Sequence, residues 1–126
     1  IDGERIEFVE AQIPTFSTAK NHISSDHHQE KRQHGAINYF VSSVSLNTLL
    51  NELNAPTKID YLSLDTEGSE FDILSTFDWS KYEIKFITIE HNFSQNRSAI
   101  NSLLVKNGYR RVLVDVSRWD DWFILE

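Results

Sequence analysis

Cysteine and methionine are both absent from the 126-residue sequence. Without cysteine, neither a disulfide framework nor a thiolate zinc site can form, and this absence agrees with a reducing, cytoplasmic compartment. No apolar stretch approaches the roughly 20 residues of a membrane-spanning helix, and no secretory signal is present. Because the chain starts at Ile1 and has no initiator methionine, we expect a processed piece or a fragment of a longer gene product.

Glycine and positive charge are also scarce. The four glycines are scattered, so the sequence has no glycine-rich loop that would cradle a phosphate or a nucleotide. The chain carries 12 Lys and Arg residues against 19 Asp and Glu residues, which gives a formal net charge of −7. Nucleic acids and anionic membrane surfaces are bound through basic patches. This charge balance therefore argues against both as partners.

The residues that are present describe a globular α/β domain. Hydrophobic residues make up 40% of the chain and aromatic residues 12%, which suits a packed core. The length predicts a single domain over residues 1–126. From Tyr39 onward, apolar strands alternate with amphipathic helices, and this order predicts βαβ units and a mostly parallel sheet. The nearly unbroken apolar runs in the strands favour a sheet that is covered on both faces.

The hydrophobic periodicity and the turn residues locate the individual elements. Ser45 is the expected N-cap of the first helix, and Asn107-Gly108 closes the last one. The final strand is expected to run antiparallel to the one before it. In chain order, the predicted elements are strand 5–11, strand 39–44, helix 46–53, strand 59–64, a helix from about Ser69, strand 84–89, helix 97–106, strand 109–116, turn 118–121 and strand 122–125.

The polar segment over 21–35 contains four histidines, His22, His27, His28 and His34. Their spacing matches no compact zinc pattern, and no cysteine supports one. A solvated surface segment is therefore the favoured interpretation, and a metal site is the weaker one.

Two tryptophans, Trp119 and Trp122, flank Asp120 and Asp121 near the end of the chain. This pattern predicts a hairpin turn with aromatic packing. A role for these side chains in facing a substrate is the second, weaker interpretation.

Three carboxylates follow the predicted buried strand over 59–64. They belong to Asp65, Glu67 and Glu70, and Gly68 between them permits a tight turn with positive φ. Acidic groups at a helix start complement the helix dipole, which explains Glu70 structurally. A single helix start does not need two further carboxylates, and ligands of open α/β sheets bind at this end of a strand. A functional role is therefore favoured for Asp65, and both interpretations stay open for Glu67.

A second polar cluster, Glu90-His91-Asn92, follows the strand over 84–89. If the two strands are neighbours, these side chains face Asp65 across the edge of the sheet. Together they offer a general base, an orienting partner and an oxygen ligand. Asp65, Glu90 and Asn92 are also a candidate ligand set for Mg²⁺ or Ca²⁺. The structural alternative, in which His91 satisfies a backbone carbonyl and Asn92 starts a turn, is equally open.

Several sequence segments resemble, in their residues and in their order along the chain, those of a known protein family. They are 44–50, 59–70 with 73–74, 89–92, 108–109 and 120–122. Together they resemble the FkbM family of methyltransferases, and the resemblance extends over most of the chain from about Phe8. The central segment is the most specific, with the sequence Ile59-Asp60-Tyr61-Leu62-Ser63-Leu64-Asp65-Thr66-Glu67-Gly68-Ser69-Glu70.

The resemblance implies a Rossmann-like fold with a C-terminal antiparallel hairpin. It also implies an S-adenosylmethionine-dependent enzyme that methylates a hydroxyl oxygen. Asp65 and Glu67 are then expected beside the cofactor, and Glu67 and Asn92 beside the acceptor. His91 or Asp65 is expected to take the hydroxyl proton, and Glu90 completes the catalytic set. A divalent metal held by Asp65, Glu90 and Asn92 is the alternative way to activate the hydroxyl.

The sequence lacks the glycine-rich first strand and loop of this family, and the acidic residue after its second strand. We therefore expect the N-terminal half of the domain to be missing from this chain. An uncovered edge and face of the sheet then favour a homodimer.

Two other functions remain open at this point. Asp65-Thr66-Glu67 also suits the metal motif of a sugar-nucleotide transferase, which predicts manganese-dependent binding of a nucleotide diphosphate sugar. The third possibility is a non-catalytic fragment that binds neither cofactor. For a methyltransferase, the acceptor stays open among a sugar, a polyketide hydroxyl and a lipid-linked glycan.

Overall fold

The computed structural model describes residues 2–22, 35–91 and 93–126. Within these ranges the chain forms strands, three α-helices and two short 3₁₀ helices (Pro14–Phe16 and Lys20–His22). The α-helices are α1 (Leu46–Glu52), α2 (Glu70–Ser75) and α3 (Arg97–Lys106). The strands are β1 (Arg5–Glu10), β2 (Thr18–Ala19), β3 (Ile37–Ser42), β4 (Lys58–Leu64), β5 (Glu83–Glu90), β6 (Tyr109–Val112) and β7 (Asp120–Leu125).

The described strands form two sheets, with the orders β2-β1-β3 and β4-β5-β7-β6. The smaller sheet is antiparallel throughout. In the larger sheet only β4 and β5 are parallel, because β7 runs antiparallel to both β5 and β6. The α/β class and the C-terminal antiparallel hairpin are confirmed, but the prediction of a mostly parallel sheet is wrong.

The error has a specific cause in the pairing of β3. The strand–helix–strand order of β3, α1 and β4 predicts a parallel pair only if both strands join the same sheet. In the structure β3 pairs with β1 along its whole length. The paired residues run from Arg5 opposite Ser42 to Glu10 opposite Ile37. Helix α1 therefore connects two sheets instead of crossing over within one.

The hydrophobic core lies on the face of the larger sheet that carries the helices. Its fully buried centre includes Ile87 and Phe123 from the sheet, Leu74 from α2 and Leu104 from α3. Leu46 and Leu50 of α1 pack against the same cluster. As the sequence predicts, the Ser45 hydroxyl caps α1 by accepting a hydrogen bond from the Thr48 N–H at 3.1 Å.

The opposite face of the larger sheet carries a row of aromatic side chains. Because side chains alternate along a strand, Phe86 and Trp122 point away from their neighbours Ile87 and Phe123. Tyr61 and Phe86 have ring centroids 5.9 Å apart, and Phe86 and Trp122 are 5.7 Å apart. Tyr61 is 54% exposed. This face is therefore much more open to solvent than the helical face.

The ends of the last two strands differ from the sequence-based prediction. β6 ends at Val112 instead of residue 116, and Leu113 takes a left-handed backbone conformation with a φ of 53°. β7 begins at Asp120, so Asp120 and Asp121 belong to the strand and not to the turn. In the described part of the chain, no helix is long and apolar enough to cross a membrane.

Candidate functional site

The two acidic strand ends lie side by side. β4 and β5 are parallel, and their last paired residues are Leu64 and Ile89. Asp65 and Glu90 therefore leave the sheet at the same edge. One carboxylate oxygen from each of Asp65, Glu67 and Glu90 lies within 4.8 Å of the other two. The predicted proximity of the strand ends is confirmed, while the functional roles of these residues stay predictions.

The three carboxylates line a cleft between the two sheets. Its volume is about 600 Å³, and Thr66 and Ser69 extend its acidic wall. The other wall comes from the N-terminal part of the chain: Phe8, Pro14, Thr15, Phe16, Ser17 and Ala19. The buried Thr18 hydroxyl joins the two walls by donating a hydrogen bond to the backbone carbonyl of Glu67 at 2.8 Å. We call this space the acidic cleft.

The turn after β4 is held by a buried carboxylate. Glu70 is only 6% exposed, and its Oε1 accepts hydrogen bonds from the Thr66 N–H at 2.8 Å and the Gly68 N–H at 3.2 Å. The structural interpretation of Glu70 fits these contacts. The Ser69 side chain makes no capping hydrogen bond to α2 and instead donates to the Thr66 hydroxyl.

Glu67 adopts an unusual backbone conformation in this turn. Its φ is 55° and that of Gly68 is 114°, so two successive residues have positive φ. Glycine adopts such values freely, but a residue with a side chain is strained there. The buried Glu70 carboxylate and the Thr18 hydroxyl hold the turn in place, and the turn brings the Glu67 carboxylate next to Asp65 and Glu90.

His91 lies on the other side of the sheet from the acidic cleft. Alternation along β5 directs Glu90 to the cleft and His91 to the helical face. The His91 side chain is 2% exposed, and its Nδ1 accepts a hydrogen bond from the Phe93 N–H at 3.0 Å. Burial and the nearby positive charges of Arg97 and Arg111 lower the pKa of His91. The ring is therefore neutral at pH 7, with its proton on Nε2.

Asp121 is the centre of a buried ion-pair cluster that the sequence analysis did not identify. Arg97 makes a bidentate contact with it, Nε to Oδ2 at 2.7 Å and Nη2 to Oδ1 at 2.8 Å. Arg111 Nη2 lies 2.9 Å from Oδ1. Burial raises the pKa of Asp121, but the Arg97 hydrogen bonds and the charges of both arginines outweigh it and hold the pKa below its usual value.

The sequence contains a signal that could have revealed Asp121. Asp121, Phe123 and Leu125 share the inward face of a strand with a period of two. Assigning residues 118–121 to a turn concealed this pattern. The two arginines that neutralise Asp121 are distant in sequence, on α3 and β6, so the ion pairs themselves were not predictable.

Several predicted site residues lie elsewhere or outside the described ranges. Asn92 lies outside them, as do His27, His28 and His34, so the roles of Asn92 stay predictions. His22 is described, and its Nε2 lies 3.4 Å from the Asp72 carboxylate. Of the candidate metal ligands, Asp65 and Glu90 are close together, and Glu67 joins them as a third oxygen donor.

The tryptophans near the C-terminus pack as the sequence suggested. Trp122 lies edge-on to Phe86, and the 56% exposed Trp119 lies edge-on to Phe93 at 5.7 Å. The backbone carbonyl of Trp119 accepts a hydrogen bond from the His91 N–H at 2.8 Å, which extends the pairing of β5 and β7 beyond Glu90.

The sequence model of one protein family, the methyltransferase FkbM domain, matches residues 2–121 of this chain. The chain belongs to the FkbM methyltransferase family. No curated protein and no solved structure matches it. The matched span of this FkbM domain includes both walls of the acidic cleft, and it ends at Asp121. Family membership therefore applies to the whole described site.

Proposed function

We propose that this FkbM domain belongs to an S-adenosylmethionine-dependent methyltransferase that methylates a hydroxyl oxygen, and that the reaction takes place in the acidic cleft. The convergence of Asp65, Glu67 and Glu90 on that cleft is the observation that carries the proposal. A site at the carboxyl ends of parallel strands is where α/β proteins bind their ligands. Family membership supplies the reaction class.

The residues of the cleft fit the proposed cofactor chemically. S-adenosylmethionine carries positive charge on its sulfonium and ammonium groups, which the carboxylates of Asp65 and Glu67 complement. Its adenine ring is flat and can stack on aromatic side chains through its faces, and Phe8 and Phe16 line the same cleft. Asp65 and Glu67 are therefore the residues that we assign to cofactor binding. When bound, the cofactor supplies an electrophilic methyl group.

The chain's own carboxylates have a separate task at the acceptor. A hydroxyl becomes a better nucleophile when a positioned base accepts its proton. We assign this role to Asp65, with Glu90 as the neighbouring carboxylate that accepts a second hydrogen bond from the acceptor. Glu67 also lies close enough to help orient the acceptor. The burial of His91 on the opposite face argues for a positioning role at the end of β5 rather than direct proton transfer.

The larger sheet supports a Rossmann-like fold as part of the proposal. In its order β4-β5-β7-β6, a reversed strand lies between two others, as the family resemblance implies. The proposed acceptor is a hydroxyl of a sugar or a natural product, because clustered carboxylates accept hydrogen bonds from hydroxyl groups. Membership in a methyltransferase family favours this reaction over transfer from a sugar nucleotide.

The substitution Asp65→Asn tests the proposal in the full-length protein. It keeps the shape of the side chain but removes its charge and its ability to take a proton. We expect methyl transfer from radiolabelled S-adenosylmethionine to hydroxyl-bearing saccharides to fall by about 10²-fold or more. Circular dichroism should be unchanged, because Asp65 is exposed at the strand end.

Asp60→Asn is the matched control, since Asp60 is an exposed carboxylate in β4 itself, before the acidic end of the strand. This variant should retain full methyl transfer. Full activity in Asp65→Asn would contradict the assignment of the base. Absence of calorimetric binding of S-adenosylmethionine, together with manganese-dependent binding of a nucleotide diphosphate sugar, would favour the transferase alternative.

A further inference from the structure

A second hollow lies on the helical side of the larger sheet, between the start of α3 and β6. It has a volume of about 440 Å³ and shares no lining residue with the acidic cleft. We call it the arginine hollow, and its lining consists of Ser94, Gln95, Arg97, Ser98, Asn101 and Arg111. These residues are all polar, and none of them is acidic.

The ion pairs behind the arginine hollow leave an excess of positive charge. Arg97 and Arg111 both pair with Asp121, whose two carboxylate oxygens accept all three close contacts. Asp121 is itself 4% exposed, while the side chains of Arg97 and Arg111 are 32% and 26% exposed. Two guanidinium groups thus share one buried carboxylate, and both reach the hollow. An anion in the hollow would balance the remaining charge.

Two buried donors near Asp121 lack a hydrogen-bond partner among the described residues. Arg111 Nε is buried and has no hydrogen-bond partner among the described residues. His91 Nε2 also lacks one there, and it lies 3.9 Å from the same Asp121 carboxylate. Buried donors are nearly always satisfied by protein, water or an ion, so each unsatisfied donor calls for an explanation. Both donors are closed off from the arginine hollow, so an anion there would contact the exposed parts of the two guanidinium groups instead.

The start of α3 adds to the attraction for an anion. The helix has ten residues, no side chain caps its N-terminus, and its first turn contains no acidic residue. Its N-terminal N–H groups and its dipole favour negative charge. Ser98 and Asn101 lie on the first two turns and add neutral donors to the lining.

We propose that the arginine hollow is a binding site for an oxyanion group, either a phosphate or a carboxylate, with Arg111 and Arg97 as its charged donors. A planar guanidinium matches both kinds of anion with paired hydrogen bonds. The site lies on the face of the sheet opposite the acidic cleft. It depends on the arginines, α3 and Asp121, and it is independent of the proposed methyl transfer.

Calorimetric titration of the protein with inorganic phosphate and, separately, with acetate tests the proposal at constant ionic strength. We expect saturable binding of at least one of the two anions. Arg111→Lys keeps a positive charge beside Asp121 but removes the planar guanidinium group with its paired donors, and it should weaken anion binding at least tenfold. Arg110→Gln is the matched control, because Arg110 is the exposed neighbour of Arg111 on the same strand and pairs with Glu126. Anion binding by the Arg110→Gln protein should be the same as that of the wild type.

A second variant keeps the test decisive if Arg111→Lys proves unstable. Ser98→Asp places a carboxylate in the first turn of α3, where it competes with a bound anion and also complements the helix dipole. The Ser98→Asp protein should fold, and its affinity for the anion should be at least tenfold lower than that of the wild type. The proposal is overturned if neither anion binds saturably, or if binding is equally strong in the wild type and in these variants. No methyl donor is present, so the outcome is separate from the test of methyl transfer.

Discussion

At the scale of single residues, the conformation of Glu67 links local strain to the candidate site. A side chain at positive φ costs roughly 1–2 kcal/mol compared with its preferred backbone conformation. Glu67 has this strained conformation, and its carboxylate lies close to those of Asp65 and Glu90. Strained residues of this kind occur often at functional sites. The strain at Glu67 is therefore consistent with selection for activity rather than for stability.

Replacing Glu67 by glycine should separate these two properties. Glu67→Gly relieves the strain, and we expect the free energy of unfolding to rise by up to about 1 kcal/mol in urea denaturation. Methyl transfer should fall, because one carboxylate of the acidic cleft is lost.

Asn54→Gly is the matched control for Glu67→Gly, since Asn54 has a φ of 51° and lies outside the cleft. This control should change stability slightly and leave methyl transfer intact. A Glu67→Gly variant with undiminished turnover would contradict the functional role of Glu67.

The protonation of His91 should make stability depend on pH. Its pKa is lowered in the folded state, first by burial and then by the charge of Arg97. Below about pH 6.5 the unfolded chain binds a proton at this position, while the folded chain does not until the pH is lower. The unfolded state then binds more protons, so the free energy of unfolding falls as the pH falls through this window.

Urea denaturation between pH 8 and pH 5 measures this effect. The wild type should lose stability toward pH 5, and His91→Gln should show a flatter dependence because it has no titrating group at this position. Identical slopes for the two proteins would show that another group is responsible.

At the scale of elements, the bounds of helices and strands were predicted better than the pairing of the strands. Helix α3 was predicted with its observed bounds, 97–106, because the apolar stripe and the Asn107-Gly108 stop are both local. The ends of β4 and β5 were also predicted closely, and with them the proximity of Asp65 and Glu90. The pairing of β3 with β1 was not, because the choice of a partner strand depends on contacts distant in sequence.

The candidate site shows the same division. The acidic wall of the cleft follows directly from two strand ends that are visible in the sequence. Its other wall, around Phe8 and Phe16, depends on how the two sheets pack together. The burial of His91 and Asp121 depends on where β7 begins, and that boundary was predicted two residues too late. The sequence thus predicted the carboxylates of the cleft. It did not predict that His91 is buried on the opposite face of the sheet.

The end of α3 offers a test at this scale. Gly108 has a φ of 88°, and a Cβ added to it would lie 3.7 Å from Leu125 Cδ1, which is an ordinary contact. Gly108→Ala should therefore lower the free energy of unfolding through backbone strain alone, by about 1–2 kcal/mol in urea denaturation.

Gly108→Asn is the matched variant, because asparagine adopts positive φ more readily than alanine. It should retain more of the stability than Gly108→Ala does. Equal stability of the glycine and alanine proteins would rule out the strain.

At the scale of the whole molecule, the two faces of the larger sheet differ in a way that favours self-association. One face is buried under the helices, and the other presents the aromatic row of Tyr61, Phe86 and Trp122. Exposed apolar residues also occur along β3, where Ile37 and Phe40 are more than half exposed. A contiguous apolar surface such as the aromatic row is typical of contact sites between proteins.

We therefore expect the 126-residue chain to associate with itself in a concentration-dependent way, as measured by sedimentation velocity. Tyr61→Lys places a charge in the aromatic row and should shift the chain toward the monomer. Val116→Ser, at a more exposed apolar position in the turn after β6, should not. A wild type that sediments as a monomer at every concentration would contradict this expectation.

The hydrogen bond from Thr18 to the Glu67 carbonyl also couples the two walls of the acidic cleft. It joins the N-terminal sheet to the turn that carries Glu67, where two successive residues have positive φ. A displacement of the N-terminal sheet that keeps this hydrogen bond also moves the backbone of Glu67, and with it the carboxylate beside Asp65 and Glu90. The position of one wall and the arrangement of the carboxylates on the other are therefore mechanically linked.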